Sequence, residues 1–412
     1  MPSFSIPVSG LLASDEALST ISNNLANMNT VAYKGITPEF SDLLYQQIGS
    51  TGAGNPIEVG LGTEMNSTST DYTPGNIQST GVPTDVAIEG DGFFQIQKDG
   101  VALYTRAGNF VKNADGQLET QDGANVMGYP ASNGVINTNG VLTPLSINLG
   151  QINPPHATSF VQVDMNLDAS AATNATFSTN VQVHDSLGSS HLLTLNFTNQ
   201  GSGTWNYNIT IPATDVGQTG SPVSIGTGSI AFDGSGNLTS PTSNVTGITV
   251  NNLADGANTL TFNWNLYDSN NNPVISQVSG TSAASSSSQD GYPSGSLANY
   301  SIGSDGTIEG SFTNGQTQAI GQIALANFPN SEGLLRTGAN NYMASLASGL
   351  PTVGVPGTGG RGKLSGGGLE GSNVDIASQF SQLILAQTGY EANAKAFTTF
   401  DNVIHVALNL VS

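Results

Sequence analysis

Residues 376–411 read IASQFSQLILAQTGYEANAKAFTTFDNVIHVALNLV, and an apolar side chain returns at every seventh position: Ile376, Leu383, Tyr390, Phe397, Ile404 and Val411. Phe380, Ala394 and Leu408 fill the adjoining line. A seven-residue apolar repeat sustained over this length predicts one long amphipathic helix with a coiled-coil seam. Asn373 or Asp375, just ahead of the first apolar residue, is placed to cap its start. The other end of the chain carries a shorter version of the pattern. Leu11, Leu18 and Leu25 are seven apart, Ile21 and Met28 add the second line, and Asn27-Met28-Asn29-Thr30 reads as the helix exit. Two such stripes need something to cover them, and each is the natural complement of the other.

Between the helices the pattern changes to period two. Phe160-Val-Gln-Val-Asp-Met, Asn180-Val-Gln-Val-His, Leu193-Thr-Leu-Asn-Phe, Trp205-Asn-Tyr-Asn-Ile-Thr-Ile and Leu260-Thr-Phe-Asn-Trp-Asn-Leu alternate apolar and polar residues. Turn signals such as Asp233-Gly, Asp255-Gly and Asp305-Gly separate these runs. The predicted fold class is mainly β with terminal α-helices: a coiled-coil-like inner domain, followed by nested β-sandwich or barrel domains. The predicted boundaries are an inner helical part at 1–30 with 372–412, a linker at 31–69, and a middle β domain at 70–145 with 310–348. An inserted outer β domain spans 146–309, and a Gly-rich linker at 349–371 lets the second helix leave the body.

Composition narrows the possible functions. The chain has 8 Lys and Arg against 29 Asp and Glu, and no cation at all between Lys112 and Arg336. Nucleic acid and anionic membrane surfaces both require clustered cations, so neither is an expected partner. Charged residues are only 9% of the chain, so its polar surface is built from Ser, Thr, Asn and Gln. There is no cysteine, which removes disulfides and thiolate metal sites. No cleavable signal and no long apolar run is visible at the N-terminus, so an extracellular protein of this sequence would leave by another route.

Candidate chemistry is sparse, and an enzyme is not expected. Gly357 to Lys363 imitates a phosphate-binding loop, but Leu364 stands where a Mg²⁺-binding Ser or Thr is needed. His184-Asp185-Ser186 contains three triad residue types, yet neighbours on a strand point to opposite faces and cannot form a relay. His156, His184, His191 and His405 show no metal-binding spacing, and are read as surface or packing residues. Asp233-Gly-Ser-Gly-Asn237 resembles part of a calcium loop but lacks the distal Glu, and reads better as a hairpin turn. No cofactor and no metal is expected.

Ile21-Ser-Asn23-Asn24-Leu-Ala-Asn27-Met-Asn-Thr-Val-Ala-Tyr33-Lys34-Gly35 resembles the N-terminal signature of the bacterial flagellar rod and hook family. Glu370-Gly-Ser-Asn373-Val374-Asp375 and the helix after it resemble the family's C-terminal end. Asp85 to Gln95, Tyr104 to Phe110 and Ala326 to Leu334 resemble its internal signatures, in the right order. Rod-type members lack a large insertion, and 146–309 is one, so the hook-forming members are the better match and a distal rod-type axial protein is the alternative. A surface β-rich adhesin is a second alternative, although it would leave the terminal helices idle. Two positions depart from the family pattern: Ala32 stands where glycine is usual, and Thr388-Gly389 replaces a step that usually contains Arg.

The resemblance implies a homopolymer: a flexible helical tube outside the cell that joins rod to filament and transmits torque as a universal joint. The implied assembly surface is the two helical stripes. The implied partners are further copies of the chain, the distal rod, hook-cap and hook–filament junction proteins, and the flagellar type III export apparatus. Phe40-Ser-Asp-Leu-Leu44 is a candidate docking element for the export gate, with Phe40 and Leu44 as its apolar residues.

Overall fold

The computed structural model describes residues 4–411. The chain divides into two compact units. One holds the residues up to Asn148, Asn299–Gly310 and those from Thr317 onward; the other comprises Leu149–Ala298 and Ser311–Gln316.

In the first unit, helix α1 (Ser5–Ala26) and helix α2 (Ile376–Val411) pack against each other. Asp375 caps α2, its Oδ1 accepting from the Ser378 amide at 2.7 Å, which satisfies one of the orphan donors of the first turn. Asn373 is used elsewhere. The β body of this unit is woven from two distant stretches. Strand Asn125–Ser132 pairs with Phe93–Lys98, through Val126↔Ile96, and with Thr317–Ile323, through Gly128↔Ile323. Val86, Ile88, Phe94, Ile96, Leu118, Val126, Ile323 and Leu325 are fully buried in this body.

Two segments read as linkers are structured. Residues 31–69 contain two antiparallel pairs, Ile36–Asp42 with Thr63–Thr70 and Tyr45–Ser50 with Pro56–Gly60. Within 349–371, Lys363–Gly366 pairs with Val86–Glu89, and Gly368–Glu370 pairs with Ile77–Ser79. Glycine here permits close backbone approach rather than flexibility. A Cβ on Gly366 would lie 2.4 Å from the Ile302 carbonyl oxygen, and one on Gly362 would lie 2.5 Å from that of Glu89. A strand built on glycine leaves no alternation to read, because alternation is a property of side chains.

The second unit is a β-sandwich. One sheet is centred on Phe160–Asp168, flanked in parallel by Leu260–Asn265 and Ile275–Val278 and in antiparallel by Ala283–Gln289. The other is a meander of Thr176–His184, Ser190–Gly201, Thr204–Ile211, Val223–Phe232 and Leu238–Ser240. Along Phe160–Asp168 every second residue is buried, the period-two signature of a half-buried strand. The two inner faces meet around Trp205 and Trp264, with Phe197 and Tyr207 packing on the Trp264 ring.

Candidate assembly site

The helices run antiparallel. Phe4 meets Phe397 edge to face at 5.5 Å, and Asn24 donates from Nδ2 to Gln379 Oε1 at 3.2 Å at the other end. Between these contacts the axes come close. A Cβ on Gly10 would sit 2.7 Å from the Asn393 carboxamide, and one on Gly389 would sit 3.5 Å from Ser14 Oγ. Gly389, the departure from the family pattern, therefore lies at the helix crossing. A Cβ there would make only ordinary van der Waals contact, so close approach does not explain its helical cost of about 1 kcal/mol.

The seven-residue stripes are only partly covered. On α1, Ile21 is buried, Leu11, Leu18 and Leu25 are half-buried, and Met28, beyond the helix end, is exposed. On α2, Leu383 and Ile404 are half-buried, whereas Ile376, Tyr390 and Phe397 are exposed. Val411 ends the helix, and its side chain lies outside the described residues. The sheltered face of α2 runs instead through Gln379, Leu383, Ala386, Gly389, Asn393, Ala396, Phe400 and Ile404. That spacing averages close to the 3.6 residues of a straight helix. A seven-residue line drifts about 20° per repeat on such a helix, so the stripe walks off the contact. The drift leaves a large apolar surface open, including Leu385 at 70% exposure and Ile384 at 58%.

Beneath the pair, the two chain ends are locked together around one carboxylate. Lys34 Nζ lies 2.6 Å from Glu370 Oε1, with both side chains fully buried, and Arg106 Nε lies 3.0 Å from Glu370 Oε2. Further donors find backbone and carboxylate partners. Lys34 also donates to the Thr73 carbonyl, Arg106 donates to those of Gly92 and Gly90, and the Gly75 amide donates to Glu370 Oε1. Burial pushes the Lys34 ammonium below its ordinary pKa, helped by Arg106 and opposed by Glu370.

The signature residues of both ends converge on this junction. Asn24 Oδ1 accepts from the Ile36 amide and from the Tyr33 hydroxyl, and Asn24 Nδ2 donates to the Ile36 carbonyl. Asn23 Nδ2 donates to the Tyr33 hydroxyl. Asn27 Nδ2 donates back to the Asn23 carbonyl at the end of α1. Asn373 Oδ1 accepts from the Gly35 amide, and its Nδ2 donates to the Asp71 carbonyl. Val374 is half-buried alongside, its side chain near Gly35. The Arg336 guanidinium stacks over Tyr33 and donates to the Lys34 carbonyl. Burial raises the Tyr33 hydroxyl pKa, with Arg336 working against it. Ala32, buried, has φ 55°, and its amide donates to the Glu370 carbonyl. Glycine would adopt this left-handed conformation without the strain an alanine bears.

Glu370, Arg106 and Arg336 carry no role that the local sequence pattern reveals. The available signal was scarcity, because with only 8 Lys and Arg in the chain each cation is a candidate for a built contact. Phe40 and Leu44, the export-gate candidates, are exposed, at 42% and 83%. The other sequence candidates resolve into local structure. Arg361 folds back onto the Val355 carbonyl, and Lys363 lies in a strand, so Gly357–Lys363 leads into no helix. Asp233 accepts from the Ser235 and Asn237 amides, as a hairpin turn does. Asp185 accepts from the Leu187 and Ser189 amides. The expectation for His191 is corrected: it is buried between Asp185 and Asp215 rather than being a plain surface or packing residue.

The chain ends are thus held together twice, as paired antiparallel helices and as one buried junction. Three family models match in chain order: "Flagella basal body rod protein" over residues 5–34, "Flagellar basal body protein FlaE D2 domain" over 148–292, and "Flagellar basal body rod FlgEFG protein C-terminal" over 365–410. The flagellar hook protein FlgE of Treponema pallidum is 36% identical, with 98% of each chain covered, and that of Escherichia coli is 32% identical, with 99% of each covered. The crystal structure of Helicobacter pylori flagellar hook protein FlgE2 shares the fold, with a TM-score of 0.52 at 17% identity, covering 71% of this chain and 99% of that one. The chain belongs to the flagellar hook protein FlgE family. It is a structural subunit of the flagellar hook, in the extracellular part of the flagellum, and not an enzyme.

Proposed function

We propose that the helical pair is the element through which copies of this chain polymerise into a flexible tube, and that this tube joins rod to filament as a universal joint. The observation that carries this is the apolar surface of α2 that α1 leaves open, above all Ile384, Leu385, Val403, Val406 and Leu408. Each such side chain contributes roughly 1.5–3 kcal/mol when a neighbour buries it. The buried junction at Glu370 ties the helical pair to the β body of the same unit, so load entering the helices passes into that body. The helical pair serves as the wall of the tube. The outer unit carries no Lys or Arg. Contacts between outer units therefore lack salt bridges, are polar and wet, and can slide.

On this reading the tube's ends meet a distal rod protein, a hook-cap protein and a hook–filament junction protein. The chain reaches them through the flagellar type III export apparatus, with exposed Phe40 and Leu44 engaging its gate. Deleting residues 36–50 should block secretion while leaving protein inside the cell, and normal secretion would remove the export reading. Deleting residues 376–411 should leave a chain that stays monomeric at high concentration. Tubes formed by that deletion would remove the assembly reading.

A further inference from the structure

At one end of the outer sandwich, a buried imidazole stands among three carboxylates. His191 is the cross-strand partner of Val183, and Asp185 lies two residues beyond Val183 along the same strand direction. His191 Nδ1 is 3.0 Å from Asp215 Oδ2, and Nε2 is 3.0 Å from Asp185 Oδ2. Asp255 supplies the third carboxylate. One ligand atom from each of Asp185, His191 and Asp255 falls within 4.8 Å of the others. Asp185 is fully buried, and the unit around it contains no Lys or Arg. An imidazolium at His191 balances the buried Asp185, while Asp215 and Asp255 reach solvent and leave net negative charge at the mouth of the cluster.

The roles of the atoms are already divided. Asp185 Oδ1 is fixed by the Leu187 and Ser189 amides, which leaves Oδ2 to face the ring. Asp215 on Nδ1 forms the carboxylate–imidazole pair that orients the ring, and a cation at Nε2 would replace the proton that Nε2 donates to Asp185 Oδ2. The Asp255 loop is held in place because the Ala254 amide donates to the Asp215 carbonyl and the Asn258 amide donates to Ser186 Oγ. We propose that Asp185, His191 and Asp255 form a site for a first-row divalent cation of the Zn²⁺ kind, with Asp215 orienting the imidazole. Mixed nitrogen and carboxylate ligands suit such an ion better than Ca²⁺, which takes oxygen alone. Tetrahedral bonds of about 2.0–2.1 Å set ligand atoms roughly 3.3 Å apart, so His191 and Asp185 separate by a few tenths of an ångström on binding, and water completes the shell. The ion clips together the turn after Thr176–His184, the strand Ser190–Gly201 and the loop before Leu260–Asn265.

The test uses the soluble full-length chain, stripped with EDTA, dialysed, and titrated with ZnCl₂ by calorimetry. The expected result is saturable binding of one Zn²⁺ per chain in the micromolar range, with the His191 Nε2 ¹⁵N resonance shifted as a metal-bound nitrogen. CaCl₂ should bind at least about tenfold more weakly. Asp255→Asn, at an exposed position, should weaken Zn²⁺ binding about tenfold or more with an unchanged circular dichroism spectrum. An absence of saturable binding, an unmoved His191 resonance in the unsubstituted chain, or equal affinity in a folded Asp255→Asn chain would each overturn the proposal.

Discussion

Lys34 and Glu370 stand 336 residues apart in the chain and meet in a fully buried ion pair of 2.6 Å. Arg106 completes the arrangement on the second carboxylate oxygen. Breaking such a network from one side is costly, because the partner charges stay buried without compensation. Glu370→Gln leaves both Lys34 and Arg106 in that position. The expected loss is about 3–5 kcal/mol of stability, read by chemical denaturation followed through far-ultraviolet circular dichroism. A loss below about 1 kcal/mol would mean that the junction is not what holds the chain ends.

Ala32 offers a change in the opposite direction. Its φ of 55° is a conformation that costs an L-residue roughly 1–2 kcal/mol and glycine almost nothing. Ala32→Gly should therefore stabilise the first unit by about 1 kcal/mol, less whatever burial of the methyl group contributed. A lowered melting temperature would show that the methyl packing outweighs the strain.

The crossing at Gly10 and Asn393 tests the helical pair itself. The Asn393 carboxamide can swing aside for one methyl group, so Gly10→Ala should be tolerated. Gly10→Leu has no such escape and should separate α1 from α2, which is measurable as loss of helical content while the β signal remains. Unchanged helicity in Gly10→Leu would place the crossing elsewhere.

Much of this architecture could be read from the sequence, and the parts that could not share a cause. Alternation located Phe160–Asp168 and Leu260–Asn265 because each buries one face of a strand. Both terminal helices were visible as apolar repeats. The stripe Ile376 to Val411 follows only part of the sheltered face of α2, since a seven-residue line and a 3.6-residue helix part company over this length. Lys363–Gly366 and Gly368–Glu370 were invisible because glycine carries no pattern and their partner strands lie far upstream in the chain. The roles of Glu370 and Arg106 were hidden for the same reason: the contact that gives each its meaning is non-local.

The second unit should be sensitive to acid. The Asn237 amide holds the Asp233 carboxyl below its ordinary 3.8, and the Asn272 amide does the same for Asp268. For Asp290, burial acts upward but is outweighed by hydrogen bonds from Ser159 and Phe160. A carboxyl whose folded pKa is depressed adds stability above its unfolded value, and that stability is lost as pH falls through the folded value. The unit should therefore weaken progressively below about pH 4. The chain's 2 tryptophans are Trp205 and Trp264, both in this unit, so tryptophan fluorescence melts report on it alone. An unchanged midpoint between pH 5 and pH 3 would contradict the reading, and Asp290→Asn should flatten the dependence.

On the proposed reading, the apolar surface that α2 leaves open is what assembles the hook. Leu385 tests it most directly, because it is 70% exposed and contributes little to the fold of the single chain. The measurement is electron microscopy of purified Leu385→Asp under conditions in which the unsubstituted chain forms tubes, with sedimentation and circular dichroism on the same sample. The predicted result is a folded, soluble monomer, with circular dichroism matching the parent and no tubes. Tubes of normal diameter from the substituted chain would contradict the account.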